Sequence, residues 1–177
     1  MSSPNNHTRD AGNLRLTHIS LLVGLGLILF LFESLIPRPL PWLKPGLAHI
    51  ATLLALFLIG NWAAVWVVVF RVIIGSLLLG SLFNPAFALA LGGGTAAAGI
   101  MILSKRYFFN AFSIYGISIL GAFIHNIAQL ALANVLFVRR VEIFYLVPFM
   151  ALTSIITGFI VAFAANLILA KAHLFSN

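Results

Sequence analysis

The chain has no cysteine and only three acidic side chains, Asp10, Glu33 and Glu142. The first absence excludes disulfides, a thiolate nucleophile and any cysteine-ligated metal, and it leaves the redox compartment unmarked. The second is more restrictive. Paired-carboxylate hydrolysis and magnesium sites that hold diphosphates need clustered Asp or Glu, whereas these three are far apart in sequence and Asp10 lies in a polar tail. No histidine has metal-ligand spacing, so neither a metal nor a cofactor is expected. There is no G-x-x-x-x-G-K-S/T, so ATP-driven work would have to come from another chain. An autonomous enzyme is not expected.

Charge as a whole is scarce: 7% of residues are charged, 62% are hydrophobic, and the mean hydropathy is +1.13. No water-soluble domain of this size carries such a composition, so the chain reads as an integral membrane protein with the lipid bilayer as its first partner. The ten Lys and Arg give a net charge of +7. They are scattered over the tail and the ends of apolar runs, which suits headgroup anchoring and not nucleic acid.

Residues 1–16 are polar and contain Pro4 and Gly12. They are expected as a disordered tail, with residues 17–177 forming a single membrane domain. Six apolar runs follow: Thr17–Leu35, Leu47–Ile59, Trp62–Leu79, Pro85–Leu103, Ala111–Val138 and Ile143–Leu169. The expected fold is therefore all-α, a bundle of six transmembrane helices. A crossing of about 30 Å of hydrocarbon takes about 20 residues, and the second run, with about 13, is short and is expected to be tilted, buried or re-entrant. Between the first two runs, Pro37, Pro39, Pro41 and Pro45 make a stiff interfacial loop with Trp42, Arg38 and Lys44 at headgroup level. With an N-terminus in the cytoplasm, five basic residues fall inside and four outside, too even a split to fix orientation.

Arg71 stands in the middle of the third run, NWAAVWVVVFRVIIGSLLLG. A guanidinium near the bilayer centre costs at least about 2.5–3.5 kcal/mol, and it is retained where it faces protein, an opposite charge or a water-filled cavity. Glu33 is the carboxylate nearest the membrane and is either the candidate partner or, at the loop end of the first span, a headgroup residue. In the fifth run, HNIAQ places His125 and Gln129 on one helical face, with Asn126 beside them. Such amides and imidazoles often serve only as hydrogen-bonded glue between helices, typically worth under about 1–2 kcal/mol. Arg71 is about 14 Å along its helix from Trp62 and His125 about 20 Å from Ala111, so the two groups reach similar depth. Asn84, before Pro85, suits a helix start and is carried as a further candidate ligand-binding residue. Gly92, Gly93 and Gly94 are expected either to break the fourth helix beside a cavity or to permit close helix packing. His49 reads as interfacial, and His7, His18 and His173 as solvent-facing. Ala51 with Ala55, and Ser76 with Gly80, form small-xxx-small pairs for helix contact.

The order FESLIPRPLPWLKPGLAHIATLLALFLIG, FRVIIGSLLLGSLFNPAFALALGGG, GISILGAFIHNIAQL and YLVPFMALTSIITG resembles the family called Gx transporter, also labelled heptaprenyl diphosphate synthase component I. The resemblance implies a six-helix, multi-pass protein of the bacterial cytoplasmic membrane, similar to the substrate-capture subunits of energy-coupling-factor importers. Those subunits bind a small molecule while separate ATPase and coupling membrane subunits supply the work. The second label implies a non-catalytic partner of a soluble prenyltransferase. Prenyl diphosphate synthases carry aspartate-rich DDxxD motifs for magnesium diphosphate, and this chain has none. The reading that follows is a membrane transport protein that binds a small anionic or amphipathic metabolite, with Arg71, His125, Asn126 and Gln129 lining a cavity closed by the proline-rich loop and Glu33 and Asn84 as further ligand-binding candidates. The alternative is a non-catalytic membrane component associated with a prenyl diphosphate synthase.

Overall fold

A computed structural model describes residues 4–35, 46–108 and 112–174 of the chain. Six α-helices follow one another: α1 (Pro4–Leu35), α2 (His49–Leu58), α3 (Asn61–Leu78), α4 (Pro85–Phe108), α5 (Ile114–Ala133) and α6 (Val147–Leu174). Five helical stretches are long and apolar enough to cross a bilayer, and α2 is the short exception. The chain is a multi-pass membrane bundle, as its composition requires. The proline-rich loop expected over the second interface lies outside the described residues.

The first helix begins at Pro4, where a disordered tail over residues 1–16 was expected. Local bonding accounts for the continuation. Thr17, His18 and Ser20 satisfy their polar groups on the carbonyls of Asn13, Leu14 and Leu16, one turn back, so the helix carries polar side chains without losing backbone pairing. Further along, Val23, Gly26, Phe30 and Glu33 are buried at alternating spacings of three and four, which turns one narrow face inward and leaves the rest to lipid.

The second helix is the centre of the bundle. Every residue from His49 to Leu56 is buried, and α2 packs against α1, α3, α4 and α6. At about 15 Å it is half a crossing long. Its ends are electrostatically clamped. At the N-terminus the Ala48 N–H donates to Glu33 Oε1 at 3.2 Å. At the other end Lys105 Nζ donates to the Leu56 carbonyl at 2.7 Å, and Arg15 Nη2 to that of Ile59 at 3.4 Å. A carboxylate at the positive end of a helix and cations at the negative end each add about 0.3–1 kcal/mol, more where partly buried. A tight turn at Gly60, with φ of 131°, then reverses the chain into α3.

Around α2 the remaining helices pack in the sequence α1, α3, α4, α5, α6. Small residues set the spacing. A Cβ at Gly75 would lie 2.5 Å from the Phe30 ring, and one at Gly158 would lie 2.5 Å from the Ile119 Cα. The triglycine stretch does not break α4, which is continuous from Pro85 to Phe108. Its role is close approach on three sides: Gly92 faces Leu132, Gly93 faces Gln129 and His125, and Gly94 faces Val68 and Arg71. The helix stays intact because neighbouring side chains fill the room that the missing Cβ atoms leave. At its far end α5 widens into a π-helical turn, Asn134–Val138, and stops at Arg139, whose φ is 50°. Asn134 ties this stop by accepting the Arg139 N–H on its carbonyl and the Arg140 N–H on its side chain.

Candidate functional site

Arg71 enters the interior because α3 buries the stripe Val67, Val68, Arg71, Val72, Gly75 and Ser76. Its stem passes over Gly26 of α1, where a Cβ would lie 3.1 Å from Arg71 Cδ. Its head reaches the level of Gly94, with Nη2 3.9 Å from where a Cβ would stand. The residue is 2% exposed, and Nε and Nη1 have no hydrogen-bond partner among the described residues. A small cavity of about 10 Å³ lies beside it, lined by Arg71, Glu33, His49 and His125 together with Gly46, Ala48, Phe30, Val72 and Ala90. Glu33 is likewise buried, and its charge attracts that of Arg71 across this space. The pairing of Arg71 with Glu33 that the sequence suggested is thus an electrostatic contact around a shared cavity.

His49 is the residue that sequence reasoning missed. Its place at the start of the second run pointed to an interfacial position, but the centring of α2 in the bundle leaves it 5% exposed. The ring meets that of His125 edge-on, with centroids 4.5 Å apart at 78°. Its Nδ1 is 3.1 Å from the Gly46 carbonyl and Nε2 has no partner among the described residues. No signal in the sequence could have found this pair, because it forms across α2 and α5, seventy-odd positions apart. Beyond the two rings lies a second cavity of about 10 Å³, lined by His49, His125, Asn126, Ser118, Thr157 and their neighbours. Each cavity has room for about one water molecule, and both imidazoles line both.

Of the expected site residues, the structure gathers Arg71, Glu33 and His125 around the first cavity and His125 and Asn126 around the second. Asn126 also binds helices together, since its Nδ2 donates to Ser154 Oγ at 2.9 Å and that hydroxyl donates to the Met150 carbonyl. Gln129 is fully buried, lines neither cavity, and donates to the Leu89 carbonyl of α4 at 3.4 Å. Asn84 is exposed and far from this cluster in role: its Oδ1 accepts the Ala86 N–H and caps α4. It borders instead an open apolar groove of about 600 Å³ with Phe83, Pro85, Phe87, Leu136 and Phe137. Among the described residues, no group of three His, Cys, Asp or Glu side chains is placed to hold a metal.

The arrangement is a cation, a carboxylate and two imidazoles held at membrane depth around water-sized spaces. It offers hydrogen-bond donors to an oxyanion and bases to a proton. No nucleophile with an adjacent activating base stands among these residues.

Fold and site define a polytopic helical membrane protein with a buried ionisable centre. Residues 22–168 match the family described as heptaprenyl diphosphate synthase component I. The match covers most of the chain, which belongs to that family. No curated protein and no solved structure matches the chain.

Proposed function

We propose that this chain is a membrane transport protein of the bacterial cytoplasmic membrane, a substrate-binding subunit or small transporter for a small anionic or amphipathic metabolite. The observation that carries the reading is Arg71: a guanidinium buried to 98% in the membrane span, with two nitrogens that have no partner among the described residues, beside a cavity shared with His49 and His125. A buried donor left without a partner costs about 1–3 kcal/mol, more for a charged group. An oxyanion accepting from either nitrogen recovers part of that cost. The cavities are water-sized as the helices now pack, so a ligand of several heavy atoms enters when they part, and the described structure corresponds to the closed form. The likeness to capture subunits of energy-coupling-factor importers adds ATPase and coupling subunits as partners, on the strength of the sequence resemblance alone.

The family description favours a second reading, a non-catalytic membrane component that works with a soluble prenyltransferase. In that reading the polar side chains between helices are internal glue and hold no ligand. Native mass spectrometry of gently purified protein separates the two readings. The transport reading expects a bound anionic small molecule that is absent from Arg71→Ala. The accessory reading expects a co-purifying prenyltransferase and no ligand that depends on Arg71. An identical spectrum for both proteins would remove the binding role of Arg71.

A further inference from the structure

Among the described residues, the charges that line the first cavity sum to zero when both imidazoles are neutral: Arg71 contributes one positive charge and Glu33 one negative. An oxyanion that enters this space brings a net charge of minus one to a site buried in hydrocarbon, where an uncompensated charge is costly. The site must therefore gain a positive charge or lose a negative one. Resting on the anion-binding reading above, we propose that anion binding here is coupled to uptake of one proton, and that the proton is taken by the His49–His125 pair at His49 Nε2.

Geometry selects the group. A backbone carbonyl only accepts, so the 3.1 Å contact of His49 Nδ1 with the Gly46 carbonyl puts the ring's hydrogen on Nδ1 and leaves the lone pair on Nε2. That nitrogen is buried and has no partner among the described residues. The ring also lines both cavities, so a charge on it lies beside Arg71's ligand and is reachable from the second space. Glu33 is the less suitable acceptor. Its carboxylate already accepts the Ala48 N–H at the N-terminus of α2 and shares the cavity with Arg71, so its lone pairs are engaged where that of His49 Nε2 is not. Among the described residues, the titratable groups that share the cavity with His49 are Glu33 from α1, Arg71 from α3 and His125 from α5. The residues that line the cavities from α4 and α6, Ala90, Thr157 and Val161, do not titrate. The step is balanced: one anion and one proton enter together, no bond other than N–H forms, and the site's net charge is unchanged.

Isothermal titration of the full chain in nanodiscs of uncharged phosphatidylcholine tests this, with acetate and methanesulfonate as probes because their charge is constant between about pH 6 and about pH 8. Paired buffers of different ionisation enthalpy give the proton count. The expected result is about one proton taken up per anion and an affinity that falls about tenfold per pH unit above the titration of the pair. Glu33→Gln leaves Arg71's charge unopposed, so its anion needs no proton and binding becomes independent of pH. In His49→Gln the proton count falls and binding weakens. Wild-type binding without proton uptake overturns the coupling while leaving the anion site intact. A proton count unchanged in His49→Gln overturns the assignment to that ring. Failure of both probes to bind sinks the anion reading and this inference with it. The wild-type count decides the coupling even where a variant does not fold.

Discussion

At the scale of single residues, the interior of this protein holds polar groups of two kinds. Asn126, Ser118 and Ser154 have hydrogen-bond partners on neighbouring helices and act as ties. Arg71, His49 and Thr52 carry buried atoms without partners among the described residues. Thr52 lines neither cavity and has no charge to offer a ligand. Replacing its orphaned hydroxyl with a methyl group removes a desolvation penalty, so Thr52→Val is expected to be neutral or to stabilise the protein by up to about 1 kcal/mol. A loss of thermal stability in detergent would show that the hydroxyl has a structural partner. Arg71 was legible from the sequence because an arginine in an apolar run must face inward, and HNIAQ because its spacing forms a stripe. His49 was not, since a histidine near the start of a short run looks the same whether that run skims the interface or sits at the centre. Only the packing of α2 against four other helices decides between them.

At the scale of elements, close packing rests on glycines whose surroundings differ. A Cβ at Gly158 would press on the Ile119 backbone, at 2.5 Å from Cα and 2.9 Å from N, where nothing can rotate away. A Cβ at Gly92 would meet the far end of the Leu132 side chain, which can change rotamer. Gly158→Ala is therefore expected to cost about 1–3 kcal/mol by forcing α5 and α6 apart, and Gly92→Ala well under that. Unfolding of the two variants in denaturant or by heat checks the order, and equal losses would contradict it. The six helices and the short second one followed from hydropathy and length. The continuity of α4 through three glycines did not, because helix propensity counts against Gly-Gly-Gly while the packing it permits is a property of the neighbours. The helix-starting role of Asn84 was legible, but the same Asn-Pro pair says nothing about whether the asparagine also faces a ligand.

At the scale of the whole molecule, helix direction alternates, so Arg15, Lys105 and Lys171 lie toward one face and Arg139 and Arg140 toward the other. The ionisable cluster is nearer the second face, since Glu33 is in the last turn of α1 and Gly46 precedes α2. Toward the first face lie the fully buried apolar side chains Leu53, Leu54, Leu56, Met101 and Ile117. The native chain has no cysteine, which makes single-cysteine labelling unambiguous. Cysteines replacing Arg15 and Lys171 are expected to react with an impermeant maleimide from one side of sealed vesicles, and one replacing Arg139 from the other. Labelling of all three from one side would refute the six-helix path.

The account turns on whether Arg71 holds an anion. Its most direct test is the binding isotherm of acetate or methanesulfonate to the purified protein, compared among wild type, Arg71→Ala and Thr52→Val, each shown to be monodisperse and helical. Affinity is predicted to fall at least about tenfold in Arg71→Ala, equivalent to about 1.4 kcal/mol, and to hold in Thr52→Val. Equal affinity in wild type and Arg71→Ala would contradict the account.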